Sequence, residues 1–192
     1  MYDVQKIKTW IKKAVKRTGV SDRFVYDPVQ ELVSDGCAVF RVTPEMLPTL
    51  MEVFGHLKGG TFVGGDYRED VFNMTGFTEL PKETYKLTDS QLRFVSCKKE
   101  FRVLYQSGSG AKVILDEKYV DLIQGFETME LHTEDIGKPK PVHVLSGTNW
   151  LGTILPIVGL DHLALLNNLE FIVARSVEDA EESESNRVAI QL

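Results

Sequence analysis

The stretch 4–42, VQKIKTWIKKAVKRTGVSDRFVYDPVQELVSDGCAVFRV, decides how this chain is read. Within it Val4, Ile7, Ile11, Ala14 and Val15 recur every three or four residues, the spacing of a helix over 5–18 that buries one face. The rest of its arc carries Lys6, Lys8, Lys12, Lys13, Lys16 and Arg17, and Gly19 follows as a residue that ends helices cheaply. Residues 24–26 and 29–33 then read as short strands. Asp35-Gly36, set between two apolar runs, is a hairpin signal, so 37–42 forms the next strand.

A similar order returns at 111–157. Residues 113–115 lead into a helix that Asp116 caps, whose Tyr119, Leu122 and Ile123 share a face and which Gly125 stops. Strands at 129–133, 142–145 and 150–157 complete the unit. The expected fold is α+β, two similar βαβββ half-units with antiparallel sheets.

Between the units, Thr43-Pro44 reads as a cap and first helical residue. Met46, Leu47, Leu50, Met51, Val53 and Phe54 follow on one apolar side, and Pro48 bends or divides that helix. Residues 58–86, punctuated by Gly59-Gly60 and Gly64-Gly65, read as a loop with one or two short strands. Runs at 92–96 and 101–106 form a hairpin through 97–100, and 107–110 is a flexible connection. This gives a domain over 1–158, a helix and strand appendage over 159–175, and an acidic tail over 176–192 expected to be disordered.

Composition bounds the function. The chain has 192 residues, 43% of them hydrophobic, enough for a core that folds alone. Its net charge of −6 argues against wholesale coating of nucleic acid. Charge is nonetheless polarised, with six cations against Asp3 in the first 17 residues and five acids over 178–184. Cys37 and Cys97 lie far apart in apolar runs and read as buried reduced thiols. The lysines at the start are followed by no apolar run, which excludes a secretory signal, and the stretch 150–174 carries too many polar residues to span a membrane. A cytoplasmic location is expected.

No motif carries catalysis. The glycines at 59–65 lack the Gly-Lys-Ser/Thr step of a phosphate loop, and those at 108–110 lead into a strand. His56, His132, His143 and His162 share no metal-ligand spacing, and no serine sits in a nucleophile elbow. Neither metal nor cofactor is expected, and the chain reads as a non-enzyme. The basic helix is the one patch with a mechanism, because lysines on one face of an anchored element attract phosphates without reading sequence. The same pattern describes a solvated surface or a protein-binding face. Trp10 reads as packing at the border of that helix.

The segment Val113-Ile114-Leu115-Asp116-Glu117-Lys118-Tyr119-Val120-Asp121-Leu122-Ile123, with Pro141-Val142-His143-Val144 and Leu155-Pro156-Ile157, resembles the final half-domain of bacterial sliding clamps, the polymerase beta-subunit family. The basic helix, Ser21-Asp22-Arg23 and Val33-Ser34-Asp35-Gly36 resemble the opening half of single-domain clamp-like proteins of phages and mobile elements. The resemblance, over 4–158, implies helices that face DNA and strands that form an outer sheet. It also implies a homo-oligomer, since a ring needs several such domains, and a peptide-binding wall at Leu155, Pro156 and Ile157, residues that equally suit a last core strand. The function expected is a clamp-like tether on duplex DNA for replication, repair or defence proteins, touching DNA through Lys6, Lys8, Lys12, Lys13, Lys16 and Arg17. The alternative is an inhibitor or decoy that binds a nuclease or another nucleic-acid enzyme.

Overall fold

The computed structural model describes residues 2–16, 24–27, 30–54, 61–62, 84–96, 98–106, 109, 111–134, 140–158 and 189–191. Helix α1 (Val4–Lys16) begins where Asp3 turns its Oδ1 onto the N–H groups of Gln5 and Lys6, at 3.1 and 3.0 Å. That cap satisfies two donors that a helix start otherwise leaves open. Strands β1 (Val25–Asp27), β2 (Leu32–Ser34) and β3 (Ala38–Arg41) form an antiparallel meander. The β2–β3 turn is the expected Asp35-Gly36, with Asp35 Oδ1 accepting from Cys37 N–H and Ala38 N–H.

Helix α2 (Leu47–Phe54) starts later than Thr43-Pro44 suggests. Residues 43–46 form a turn, with Met46 N–H donating to Thr43 O. Pro48 therefore falls in the first helical turn, where its missing N–H costs nothing, and it neither bends nor divides the helix. Met46 and Leu50 are buried, but Leu47 is 41% and Met51 49% exposed, so the apolar residues do not share one face. Strand β4 (Thr61–Phe62) pairs with β1.

Strand β5 (Tyr85–Ser96) is the longest element of the sheet and joins its two parts. Tyr85, Lys86 and Leu87 pair with β8 (Glu130–Thr133), whereas the rest pairs with β6 (Lys99–Tyr105) across a register shift between Asp89 and Arg93. Positive φ at Gln91 marks the bulge that lets one strand serve two partners. The β5–β6 hairpin is tighter than expected, because Ser96 pairs with Lys99 directly. Strand β7 (Lys112–Asp116) returns beside β6.

Helix α3 is only Glu117–Val120. Asp116 caps it as expected, accepting from Lys118 N–H at 3.1 Å. The expected helix through Ile123 does not form, since the Leu122 carbonyl is taken by Asp3 N–H and Ile123 bridges to Tyr2. Gly125, at φ 64°, opens a 3-10 turn over Phe126–Thr128 rather than closing a helix. Strands β8, β9 (Val142–Ser146) and β10 (Asn149–Ile154) form a second antiparallel meander.

The two meanders join through β3 and β10, the last strand of each, in antiparallel register. Gly152 permits this contact, because a Cβ there would lie 2.5 Å from Val39 O and 2.6 Å from the Phe40 ring. The sheet order is β4-β1-β2-β3-β10-β9-β8-β5-β6-β7, with β11 (Ala189–Gln191) parallel to β5. The fold is thus α+β with a large, almost wholly antiparallel sheet. Beyond β10, Leu155 N–H donates to Cys37 O and Ile157 N–H to Ile114 O, which carries the chain from β3 across to β7.

One core lies between the helices and one face of the sheet. Ile7, Trp10 and Ile11 of α1, Met46 and Leu50 near α2, and Tyr119, Val120 and Phe126 of the second half pack on Phe24, Phe40, Leu104, Leu131 and Val144. Alternate residues of the same strands, Leu32 and Val39, form a smaller cluster on the opposite face with Trp150 and Leu155. Cys37 is a half-buried free thiol, less enclosed than the sequence suggests. Cys97 lies outside the described residues, as do the expected elements at 160–169 and 170–174 and the acidic run at 178–184.

Candidate nucleic-acid interface

Helix α1 presents its cations because the described residues of its other face are packed against the core. Ile7 and Ile11 are completely buried, and Trp10 is 9% exposed with its ring edge-to-face against Phe24 and Phe40. Burying three such side chains holds the helix at about 1.5–3 kcal/mol each before entropy is charged against it. Trp10 is a core residue, as read, and its indole N–H also donates to Asp35 Oδ2 at 3.2 Å.

That aspartate is more than a turn former. Its Oδ2 also accepts the Tyr119 hydroxyl at 2.8 Å, so one carboxylate ties α1, the β2–β3 turn and α3 together. Burial, with the adjacent carboxylate second, pushes the Tyr119 hydroxyl well above the usual phenol range and keeps it a donor.

Between α1 and α3 lies an open groove of about 490 Å³. Its floor carries Trp10, Asp35 and Leu122, and its walls Gln5, Lys6, Thr9 and Lys13 on one side with Lys118 and Asp121 on the other. Lys6 meets Asp121 at 3.1 Å with both side chains half-exposed, a solvated pair that holds the cation only weakly in place. Lys13 has no ion pair among the described residues. Lys118 lies 4.2 Å from the Tyr119 ring centre and 3.8 Å from Asp116.

The other expected contacts divide. Lys12 points the opposite way and pairs with Glu52 of α2 at 2.9 Å. Lys8 is half-buried beside the groove residues' turn of the helix but does not line the groove. The side chain of Lys16, and Arg17 altogether, lie outside the described residues. Lys118 also lines the groove although it is not among the expected contacts; the acids before it, Asp116 and Glu117, are turned inward by the fold.

Glu117 is held inside by a second polar cluster. Arg93 and Arg102 are cross-strand partners on β5 and β6, a like-charge pair that needs compensation. Arg102 donates from Nε to Glu117 Oε2 at 2.8 Å and from Nη2 to Glu117 Oε1, while its Nη1 reaches Asp89 Oδ2 at 2.8 Å. Arg93 reaches Asp89 at 3.3 Å and Glu117 at 3.5 Å. Burial opposes the Arg102 charge, but the bonds and charges of Glu117 and Asp89 outweigh it and raise its pKa. The guanidinium also covers the Phe126 ring at 5.1 Å. Two cations and two acids balance here, so the cluster anchors α3 and adds no net field.

Leu155, Pro156 and Ile157 bridge two apolar clusters. Leu155 packs with Leu32, Val39 and Trp150, Pro156 is buried, and Ile157 packs with Phe94, Phe101, Val103 and Ile114. The N–H groups of Leu155 and Ile157 are both spent on the backbone. Among the described residues no group of three His, Cys, Asp or Glu side chains converges as a metal site, and no helix is long and apolar enough to cross a membrane. No family model matches the chain, and no curated protein or solved structure matches it either.

Proposed function

We propose that this chain is a non-enzymatic, clamp-like protein that contacts duplex DNA through the α1–α3 groove and tethers a replication, repair or defence protein to it. The observation that carries the reading is convergence: Lys6 and Lys13 of α1 and Lys118 of α3, more than 100 residues away, line one groove whose walls are locked from behind by Asp35. Cations fixed on a packed scaffold attract phosphates without reading bases, which suits a protein that must stay on DNA of any sequence. An overall charge of −6 means that any attraction to phosphates has to be local. Lys12, engaged with Glu52, contributes less, and the clamp reading with its homo-oligomer rests on the resemblance and on the two meanders joined at β3–β10.

The test is the light-scattering mass of the purified chain with and without duplex DNA at low and moderate salt. A salt-sensitive DNA complex, or a closed multimer, is the expected result, and a DNA-indifferent monomer overturns it. That outcome favours the second reading, a protein-binding inhibitor or decoy, for which the exposed Leu47 and Met51 on α2 offer apolar contact.

A further inference from the structure

The sheet face away from the helices carries a lateral polar row that neither the fold nor the DNA reading uses. Register places Lys86, His132, His143, Thr153 and Val39 side by side on β5, β8, β9, β10 and β3. His143 sits in the middle and is 0% exposed. Its Nδ1 lies 3.0 Å from Thr153 Oγ1, which also accepts the Trp150 indole N–H at 3.1 Å. Its Nε2 is buried with no hydrogen-bond partner among the described residues.

This arrangement suits a neutral imidazole alone. The Thr153 oxygen accepts the indole N–H and keeps a second lone pair for an Nδ1–H, the neutral tautomer that leaves the partnerless Nε2 without a proton. A second ring proton makes both nitrogens donors, and the Nε2–H then has no acceptor. The charge itself is placed on a fully buried ring with poor compensation. Of the ionisable groups around it, Glu134 favours the charge but is shared with Lys140, and His132 on β8 opposes it; Glu130 lies 3.5 Å from Lys86 and 3.7 Å from His132. His132 is itself held by Thr84, at 2.9 Å.

We propose that His143, Thr153 and Trp150 form a proton-operated latch: acidification adds a proton at Nε2, where the buried ring meets no acceptor, so that His143 leaves its enclosed position and takes its contacts with Thr153, Trp150 and the β9–β10 hairpin with it. Consistent with that geometry, burial lowers the His143 pKa, Glu134 partly offsetting it and His132 adding to it. A base whose pKa is depressed in the folded state binds fewer protons there than in the unfolded chain. The contribution is therefore whole above the ordinary histidine value of about 6.5 and is lost as pH falls below it. The β9–β10 hairpin is also the element that joins the two meanders, so its release loosens the contact on β3 that depends on Gly152.

The experiment is an NMR titration of the wild-type chain from about pH 7 to 5, following the four imidazoles and the Trp150 indole N–H together. The expected result is a reversible shift or loss of the Trp150 indole resonance that follows protonation of His143. His143→Gln, which keeps a polar group but cannot titrate, abolishes that transition. His132→Gln moves it to higher pH by removing the opposing charge. An indole resonance unchanged across the range, or a transition uncoupled from the His143 signals, overturns the proposal, and the wild-type titration decides this even if His143→Gln fails to fold.

Discussion

Two segments of this molecule, α1 with β1–β3 and α3 with β8–β10, each set a helix before a three-stranded meander, yet anchor their helices by opposite means. Helix α1 has thirteen residues and is held by Ile7, Trp10 and Ile11, with one carboxylate, Asp35, taking neutral donors behind it. Helix α3 is a single turn whose Glu117 is locked to Arg102 by charge. A long amphipathic helix gains enough apolar contact to free its polar arc for solvent. A four-residue helix cannot, and a buried ion pair fixes it instead, at a desolvation cost that makes the pair fragile if either partner goes.

The sharpest way to break that contrast is Arg102→Ala. It leaves two buried acids, Glu117 and Asp89, to share Arg93 alone, and the expected loss is about 3–5 kcal/mol in urea unfolding. Arg102→Met and Arg93→Met with Glu117→Leu and Asp89→Leu recovers much of that loss, whereas a merely apolar role for Arg102 predicts that Arg102→Met alone suffices. A smaller effect is expected at the link between halves, where Asp35→Ala strands the Trp10 and Tyr119 donors. The cost is about 2–3 kcal/mol, as expected for hydrogen bonds to a charged group, and near-ultraviolet circular dichroism should show Trp10 and Tyr119 changing together. Smallest is Asp116→Ala, which removes the α3 cap for about 1 kcal/mol. A larger loss there means that α3 depends on its cap more than on Arg102.

Much of the first half is legible in sequence because its signals are local. The three- and four-residue spacing gives α1, and Asp35-Gly36 gives the β2–β3 turn. The same holds for Asp116 as a cap. What local pattern does not carry is pairing across the chain. Nothing near Ser34 or Gly36 shows that Asp35 meets Tyr119, 84 residues on. Strand β5 escapes notice from Tyr85 onward because Asp89 and Arg93 look solvated, and only the register with Arg102 reveals them as an enclosed network. The α3 helix reads too long for a similar reason, since its Leu122 carbonyl is claimed by Asp3 from the other end of the domain. In the candidate interface, Lys6 and Lys13 are visible as one cationic arc, while Lys118 joins them only through that docking.

The most direct test of the interface is duplex DNA affinity as a function of salt, measured by fluorescence anisotropy for the wild type and for Lys6→Gln/Lys13→Gln/Lys118→Gln. Three phosphate contacts predict that the logarithmic salt slope becomes shallower by about 0.9 per lysine, with affinity falling alongside it. A wild-type chain that binds with no salt dependence, or a triple variant that binds as the wild type does, contradicts the account.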